Sequence, residues 1–103
     1  AQTALRAYLQ QYPQGSRRAS AQYWLGNSDY ALRNYRSAIS NFRAVVSQAP
    51  EHERAPEALL SLASCHSELN DTAAARSALE QIITKYPRSE AALAAKDRLA
   101  RLR

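Results

Sequence analysis

Apolar residues recur along this chain at the spacing of amphipathic helices, and short polar turns separate the apolar stripes. Between residues 23 and 50 one stripe precedes Asn34 and a second follows it, which predicts two helices packed as a hairpin. The positions on these stripes are Leu25, Gly26, Tyr30, Tyr35, Ala38, Ile39, Phe42, Val45, Val46 and Pro50. The rest of the chain repeats this arrangement in full or in part, so the pattern predicts an all-α fold.

Prolines divide the chain at a constant interval. Pro13, Pro50 and Pro87 follow one another every 37 residues, and a leucine lies 12 positions after each of them. Proline lacks a backbone N–H and disfavours the helical conformation of the residue before it, so each proline predicts a helix end. The predicted units are the second helix of a truncated repeat at 1–13, full repeats at 16–50 and 53–87, and a capping helix at 88–103, which together make six helices in one domain.

Small residues occupy equivalent positions in successive units. Gly26, Ala63 and Ala100 share one position, and Ala38 and Ala75 share another. Where two helices cross closely, only a small side chain fits between them. The pattern therefore predicts close helix crossings at these positions.

Turns and the last helix follow the same logic. Asn34 marks the first bend and Asn70 the second, after which Asp71 or Thr72 is expected to cap the next helix. In the capping helix, leucines are expected to cover the open end of the stack while the basic residues face water. These residues are Leu99 and Leu102 on the apolar face, and Lys96, Arg98, Arg101 and Arg103 on the polar face.

Composition limits the possible classes of function. The chain has 103 residues, is 46% apolar and carries a formal charge of +5 that is spread over helical positions. A nucleic-acid site would need a basic stripe with stacking aromatics, which this distribution does not favour. No apolar run approaches the roughly 18 residues of a membrane-spanning helix. The sequence therefore predicts a folded domain with neither a nucleic-acid partner nor a membrane span.

Residues capable of catalysis or metal binding are few. The sequence contains no Gly-rich phosphate loop, nucleophile elbow or paired catalytic carboxylates. Cys65 and His66 are adjacent and would point about 100° apart on a helix, while His52 and Glu53 lie in a distant turn. We therefore predict no enzyme activity, no cofactor and no metal site, with Cys65 as a small core residue.

The repeat positions resemble those of tetratricopeptide repeats, whose helical hairpins stack into a right-handed superhelix. Residues 23–26, which read YWLG, and the Tyr-Pro pairs at 12–13 and 86–87 resemble most closely the periplasmic repeat domain of the YbgF/CpoB family. The resemblance implies a concave groove lined by the first helix of each repeat. The groove residues implied are Ser20, Tyr23, Trp24, Asn27, Tyr30, Leu60, Ser64 and Ser67, with Ala31, Glu57, Glu68, Ala94, Asp97 and Arg101 at further groove positions.

Three aromatic side chains in this set have alternative roles. Tyr23 and Tyr30 either line the groove or pack on neighbouring helices. Trp24 lies beside the groove, toward the truncated first helix, either as core filler or as a ligand anchor. If Tyr23 faces the groove, Tyr23→Ala is expected to weaken partner binding and leave thermal stability nearly unchanged.

The resemblance also implies a function. Like YbgF/CpoB proteins, this chain would be a periplasmic adaptor that binds TolA and coordinates outer-membrane constriction with peptidoglycan synthesis in cell division. A peptidoglycan synthase complex is a further candidate partner, and a coiled coil upstream of Ala1 would make the parent chain trimeric. Two alternatives stay open: a BamD-like component of outer-membrane β-barrel assembly, and a generic peptide-binding module of the same repeat class.

Overall fold

The computed structural model describes residues 16–102. Within that range the chain forms five helices and no strand, which confirms the all-α prediction. The helices are α1 (Ser16–Ala31), α2 (Tyr35–Gln48), α3 (Ala55–Glu68), α4 (Thr72–Lys85) and α5 (Glu90–Arg101). The helix predicted at 1–13 lies outside the described residues, as does Arg103.

Two hairpins and a final helix make up the described stack. α1 packs against α2, α3 packs against α4, and α2 joins the hairpins by packing against α3, while α5 covers α4. The first helices α1, α3 and α5 also contact one another in sequence, whereas no Cα atom of α2 lies within 8 Å of one in α4. The first helices therefore lie closer to one another than the second helices do.

The turns inside the two hairpins have the same geometry. Arg33 and Asn70 are equivalent in the 37-residue repeat, and both adopt the left-handed conformation with φ of 64° and 61°. In the first turn the N–H of Asn34 donates to Asp29 at 2.8 Å, and in the second the N–H of Asp71 donates to His66 at 2.8 Å. These bonds satisfy carbonyls at the helix ends, so α1 and α3 each end in a Schellman motif.

The predicted close crossings are present at four of the five small residues. A Cβ added to Gly26 would meet the ring of Phe42 at 2.8 Å, so this helix crossing requires glycine. Ala38, Ala63 and Ala75 are fully or almost fully buried. Ala100 is exposed, because among the described residues no helix packs on that face of α5, which corrects the prediction at this position.

The ends of the later helices are fixed by side chains. The Asp71 carboxylate accepts from the N–H of Ala74 at 3.1 Å, and Ser89 Oγ accepts from Ala92 at 3.1 Å. Asp71 is thus the N-cap of α4, one of the two residues predicted for that role. Tyr86 donates its hydroxyl proton to the carbonyl of Pro50 at 2.6 Å, which ties the end of α4 to the end of α2.

The capping helix matches the prediction except at one arginine. Leu99 and Leu102 are half-buried and pack against the core, while Lys96 and Arg101 are exposed. Arg98 is also half-buried, and its guanidinium donates to Ser64 Oγ at 2.8 Å. Because Arg98 bridges α5 to α3, it is not a purely solvent-facing residue as predicted.

A candidate protein-binding groove

The predicted groove residues all lie on α1, α3 and α5, and we call the surface formed by these three helices the first-helix face. Side chains bridge these helices at several levels. Ser20 pairs with His52 at 3.2 Å, Tyr23 donates to Glu57 at 3.2 Å, and Arg98 donates to Ser64. The helices of this face are therefore linked by polar contacts as well as by packing.

Tyr23 is a core residue that also reaches the groove. Its side chain is only 8% exposed, and its ring packs edge-on against Phe42 and Trp24 with centroids 5.9 and 5.2 Å apart. Burial raises the pKa of Tyr23, with the charge of Glu57 acting in the same direction and a hydrogen bond with Asn27 opposing it. Removing this ring would open a cavity beside Phe42, so the expectation that Tyr23→Ala leaves stability unchanged is wrong.

Trp24 is the exposed aromatic of this face, with 49% of its surface accessible. It points toward the start of α3, because the Arg54 guanidinium lies 5.2 Å from its ring centroid and 5.4 Å from that of Tyr23. Trp24 is therefore not core filler, and the first predicted helix, toward which it was expected to lie, is outside the described residues. Its exposed surface is available to a ligand.

Arg54 is held over the two rings by an acidic neighbour. Its Nη1 donates to Glu57 Oε2 at 3.0 Å, and the same carboxylate oxygen accepts from the Tyr23 hydroxyl. A guanidinium on an aromatic face within about 6 Å gains a favourable cation–π interaction. Tyr23, Trp24, Arg54 and Glu57 form one unit, which we call the Trp24 cluster.

His52 supports the turn from which Arg54 projects. Its Nδ1 accepts from the backbone N–H of Arg54 at 3.0 Å, and its Nε2 lies 3.2 Å from Ser20 Oγ. Since Nδ1 is an acceptor, the neutral ring carries its proton on Nε2 and donates to Ser20. The half-buried Ser20 therefore orients the α3 turn through His52.

The remaining predicted residues of α1 lie further along the groove. Asn27 is half-buried beside Tyr23. Tyr30 packs edge-on against Tyr35 with centroids 5.4 Å apart, and burial, followed by the charge of Glu68, raises its pKa. Tyr30 is thus chiefly a packing residue, in agreement with the second of its two predicted roles.

On α3 the predicted residues have different environments. Leu60 is half-buried and packs against the core, and Ser67 is exposed. Ser64 donates to the Leu60 carbonyl at 3.3 Å while accepting from Arg98. On α5, Arg101 pairs with Asp97 on the exposed surface. The groove is thus aromatic near the start of α3 and polar toward α5.

Three residues of this face were missed in the sequence: His52, Arg54 and Arg98. The first two lie in the connection before α3, where helical periodicity assigns no direction to a side chain. The position of Arg54, two residues before Pro56 at the start of the helix, is only a weak indication that its side chain lies near the groove. Arg98 lies on a predicted polar stripe and could not be distinguished from a solvated charge.

Cys65 and His66 point to different surroundings. Cys65 is fully buried, as predicted, and burial raises the pKa of its thiol to about 11. His66 lines a cleft on the opposite side, between α2 and α4. Among residues 16–102 no group of three or more His, Cys, Asp or Glu side chains is placed to hold a metal ion.

Asp29 is a buried carboxylate that the sequence pattern did not single out. It is 1% exposed and accepts a hydrogen bond from Asn41 Nδ2 at 2.9 Å. Asn41 also donates to the backbone of α2, so this pair joins α1 to α2. Asp29 therefore has a structural role inside the first hairpin rather than a role in the groove.

Comparison with known proteins identifies the repeat. A family model described as tetratricopeptide repeat matches residues 29–99, which is more than half of the chain. The match begins within α1 and ends within α5, so it contains both Schellman turns and the whole second hairpin. No curated protein matches the chain significantly. None of the described helices is long and apolar enough to cross a membrane.

Proposed function

Because this chain belongs to the tetratricopeptide repeat family, whose domains serve protein–protein interaction, we propose that its first-helix face binds a segment of a protein partner and that the Trp24 cluster anchors it. One observation carries this proposal. Trp24 combines 49% exposure with a fixed position, because Arg54 covers part of its ring and Tyr23 packs against its edge. A large aromatic held in place loses little conformational entropy when a partner covers it.

The cluster offers complementary contacts to a peptide. An apolar partner side chain would pack on the open part of the Trp24 ring. Arg54 uses Nη1 to hold Glu57, and the other N–H groups of its guanidinium can donate to partner carbonyl or carboxylate oxygens. Asn27, one helical turn from Tyr23, has both a donor and an acceptor for peptide backbone.

The identity of the partner is proposed from the resemblance to the YbgF/CpoB family. The YWLG sequence at residues 23–26 and the Tyr-Pro pairs at 12–13 and 86–87 support it. On this basis the domain acts in the periplasm as a non-enzymatic adaptor. It binds TolA and links outer-membrane constriction to peptidoglycan synthesis during cell division.

Isothermal titration of the purified domain with a TolA domain from the same source tests the proposal. Trp24→Ala is expected to weaken binding about tenfold to thirtyfold, as loss of a central aromatic anchor does. Arg54→Ala is expected to weaken it less, because its guanidinium is shared with Glu57. Arg36→Ala is the control, since Arg36 is exposed on α2, outside the Trp24 cluster, and its substitution removes the same charge as Arg54→Ala.

Thermal unfolding of the same variants separates binding from folding. Trp24 is half exposed, so Trp24→Ala is expected to change the melting temperature only slightly. If the Trp24→Ala variant binds with wild-type affinity, the partner does not dock on the Trp24 cluster. If no binding to TolA is measurable for any variant, the periplasmic adaptor function is wrong.

A further inference from the structure

A second surface lies on the other side of the stack. In the described part of the chain α2 and α4 both pack against α3, but none of their Cα atoms come within 8 Å of each other. Their separation leaves a cleft of about 340 Å³ with α3 as its floor. This cleft, which we call the second-helix cleft, shares no lining residue with the Trp24 cluster.

The cleft has an apolar floor and basic walls. Leu59 and Leu62 of α3 form the floor together with Val46 of α2, and Arg43 and Lys85 project from opposite walls. Both basic residues are exposed. Among the described residues that line the cleft, none is acidic, so neither positive charge is neutralised from within it.

Two neighbouring groups affect the charge of the cleft. Burial lowers the pKa of His66, and the charge of Arg43 acts in the same direction while that of Asp71 opposes it. The ring is therefore neutral at pH 7 and can exchange hydrogen bonds with a ligand. Asp71 accepts from the N–H of Ala74 at the start of α4, where it caps the helix. The positive charge of the cleft thus comes from Arg43 and Lys85.

We propose that the second-helix cleft binds an acidic peptide segment of a protein partner. An apolar side chain of the segment packs on Leu59 and Leu62, and carboxylates on either side of it pair with Arg43 and Lys85. The volume lies at the lower end of the range for ligand sites, so only one or two side chains enter the cleft. Charge complementarity selects acidic over basic segments and accelerates their association.

A synthetic helical peptide with leucines on one face and glutamates elsewhere is the probe. Its affinity for the domain is measured by fluorescence anisotropy, beside a counterpart with lysine in place of every glutamate. The acidic peptide is expected to bind, with an affinity that falls as salt rises, and the basic one is not. Arg43→Ala and Lys85→Ala are each expected to lower the affinity for the acidic peptide about threefold to tenfold.

Matched variants locate the binding. Lys96→Ala removes one positive charge from α5, outside the cleft, and is expected to leave the affinity nearly unchanged. Ser77→Phe fills the cleft from the exposed side of α4 while keeping both basic residues, and is expected to abolish binding. Trp24→Ala is expected to have no effect, which separates this site from the groove.

Three results would overturn the proposal. Equal binding of the acidic and basic peptides would mean that charge does not select the ligand. An equal loss of affinity in Lys96→Ala and Arg43→Ala would mean that only net charge matters. Self-association of the free domain that Ser77→Phe abolishes, measured by sedimentation velocity, would assign the cleft to a second copy of the chain.

Discussion

Gly26 lies where the ring of Phe42 comes closest to the backbone of α1. A Cβ at this position would be 2.8 to 2.9 Å from three atoms of that ring, which is itself fully buried. Gly26→Ala should therefore lower the free energy of unfolding by up to about 2 kcal/mol, because overpacking costs about 1–3 kcal/mol and the gain in helix propensity offsets only about 1 kcal/mol of it. Chemical denaturation measures the change.

A double-mutant cycle tests the cause. Phe42→Leu leaves room beside position 26, so the Gly26→Ala substitution should cost less in the Phe42→Leu background than in the wild type. If the two substitutions have additive effects, the Phe42 ring is not the reason that glycine is required.

Cys65 makes stability depend on pH in the alkaline range. Its thiol has a pKa raised from 9.0 to about 11 by burial, with the charge of Asp29 adding to the effect. The raised value means that this contribution to stability is fully present below pH 9 and is lost as pH rises through about 11. Two pKa units correspond to at most about 3 kcal/mol.

Denaturation curves across this pH range measure the effect. Burial also raises the pKa of Tyr23, Tyr30 and Tyr86, so wild-type stability falls for more than one reason. Cys65→Ala removes the thiol contribution alone, and its stability should fall less between pH 9 and pH 11 than that of the wild type. Parallel curves for the two proteins would show that the thiol ionises as freely in the folded chain as in the unfolded one.

Neighbouring residues also show the limit of what the sequence could predict. Tyr23 and Trp24 are about 100° apart on α1, and the family resemblance implied that Tyr23 lines the groove and that Trp24 lies beside it. Which of them enters the core depends on how α3 crosses α1 and on the turn that brings Arg54 over Trp24. That information is tertiary, so the helix and its stripe were predictable whereas the burial of Tyr23 was not.

At the scale of elements, the helix bounds were largely predictable because proline and the repeat interval mark them. α1 begins at Ser16, where the first full repeat was predicted to start, and α2 begins directly after the bend predicted at Asn34. The left-handed residues in the turns were not predicted. The left-handed conformation of Arg33 could not be predicted from its residue type, since glycine and asparagine are the usual residues at such a position.

Arg33 provides a test of this turn. Because its φ of 64° places the Cβ in an unfavourable position, Arg33→Gly should raise the free energy of unfolding by about 0.5–1 kcal/mol. Asn70→Gly should change stability less, since asparagine tolerates the left-handed conformation. Thermal and chemical denaturation of both variants measure the difference.

Arg33→Ala is the matched control for this prediction. It removes the same charge as Arg33→Gly but keeps a Cβ in the left-handed conformation. It should therefore give no stabilisation. A gain in Arg33→Ala equal to that in Arg33→Gly would attribute the effect to charge rather than to the backbone.

At the scale of the whole molecule, contacts among the first helices and the gap between the second helices create two distinct surfaces. The groove positions could be assigned from the repeat, because stacking brings equivalent positions of α1, α3 and α5 together. The second-helix cleft could not be assigned from the sequence, because its existence depends on the distance between α2 and α4 rather than on the type of any residue. The positions of the aromatic groove were therefore predictable from the sequence, whereas the basic cleft was not.

The most direct test of the central claim, that a protein partner docks on the Trp24 cluster, uses Trp24 itself. It is the only tryptophan of the chain, so fluorotryptophan labelling gives a single fluorine resonance from the site. We predict that titration with an unlabelled TolA domain shifts this resonance to a saturable end point and protects it from a soluble paramagnetic quencher. In the Arg36→Ala variant the resonance should shift at the same partner concentrations as in the wild type. In the Arg54→Ala variant the shift should require higher partner concentrations. A complex that forms by calorimetry while the Trp24 resonance stays unshifted and fully accessible would contradict the account.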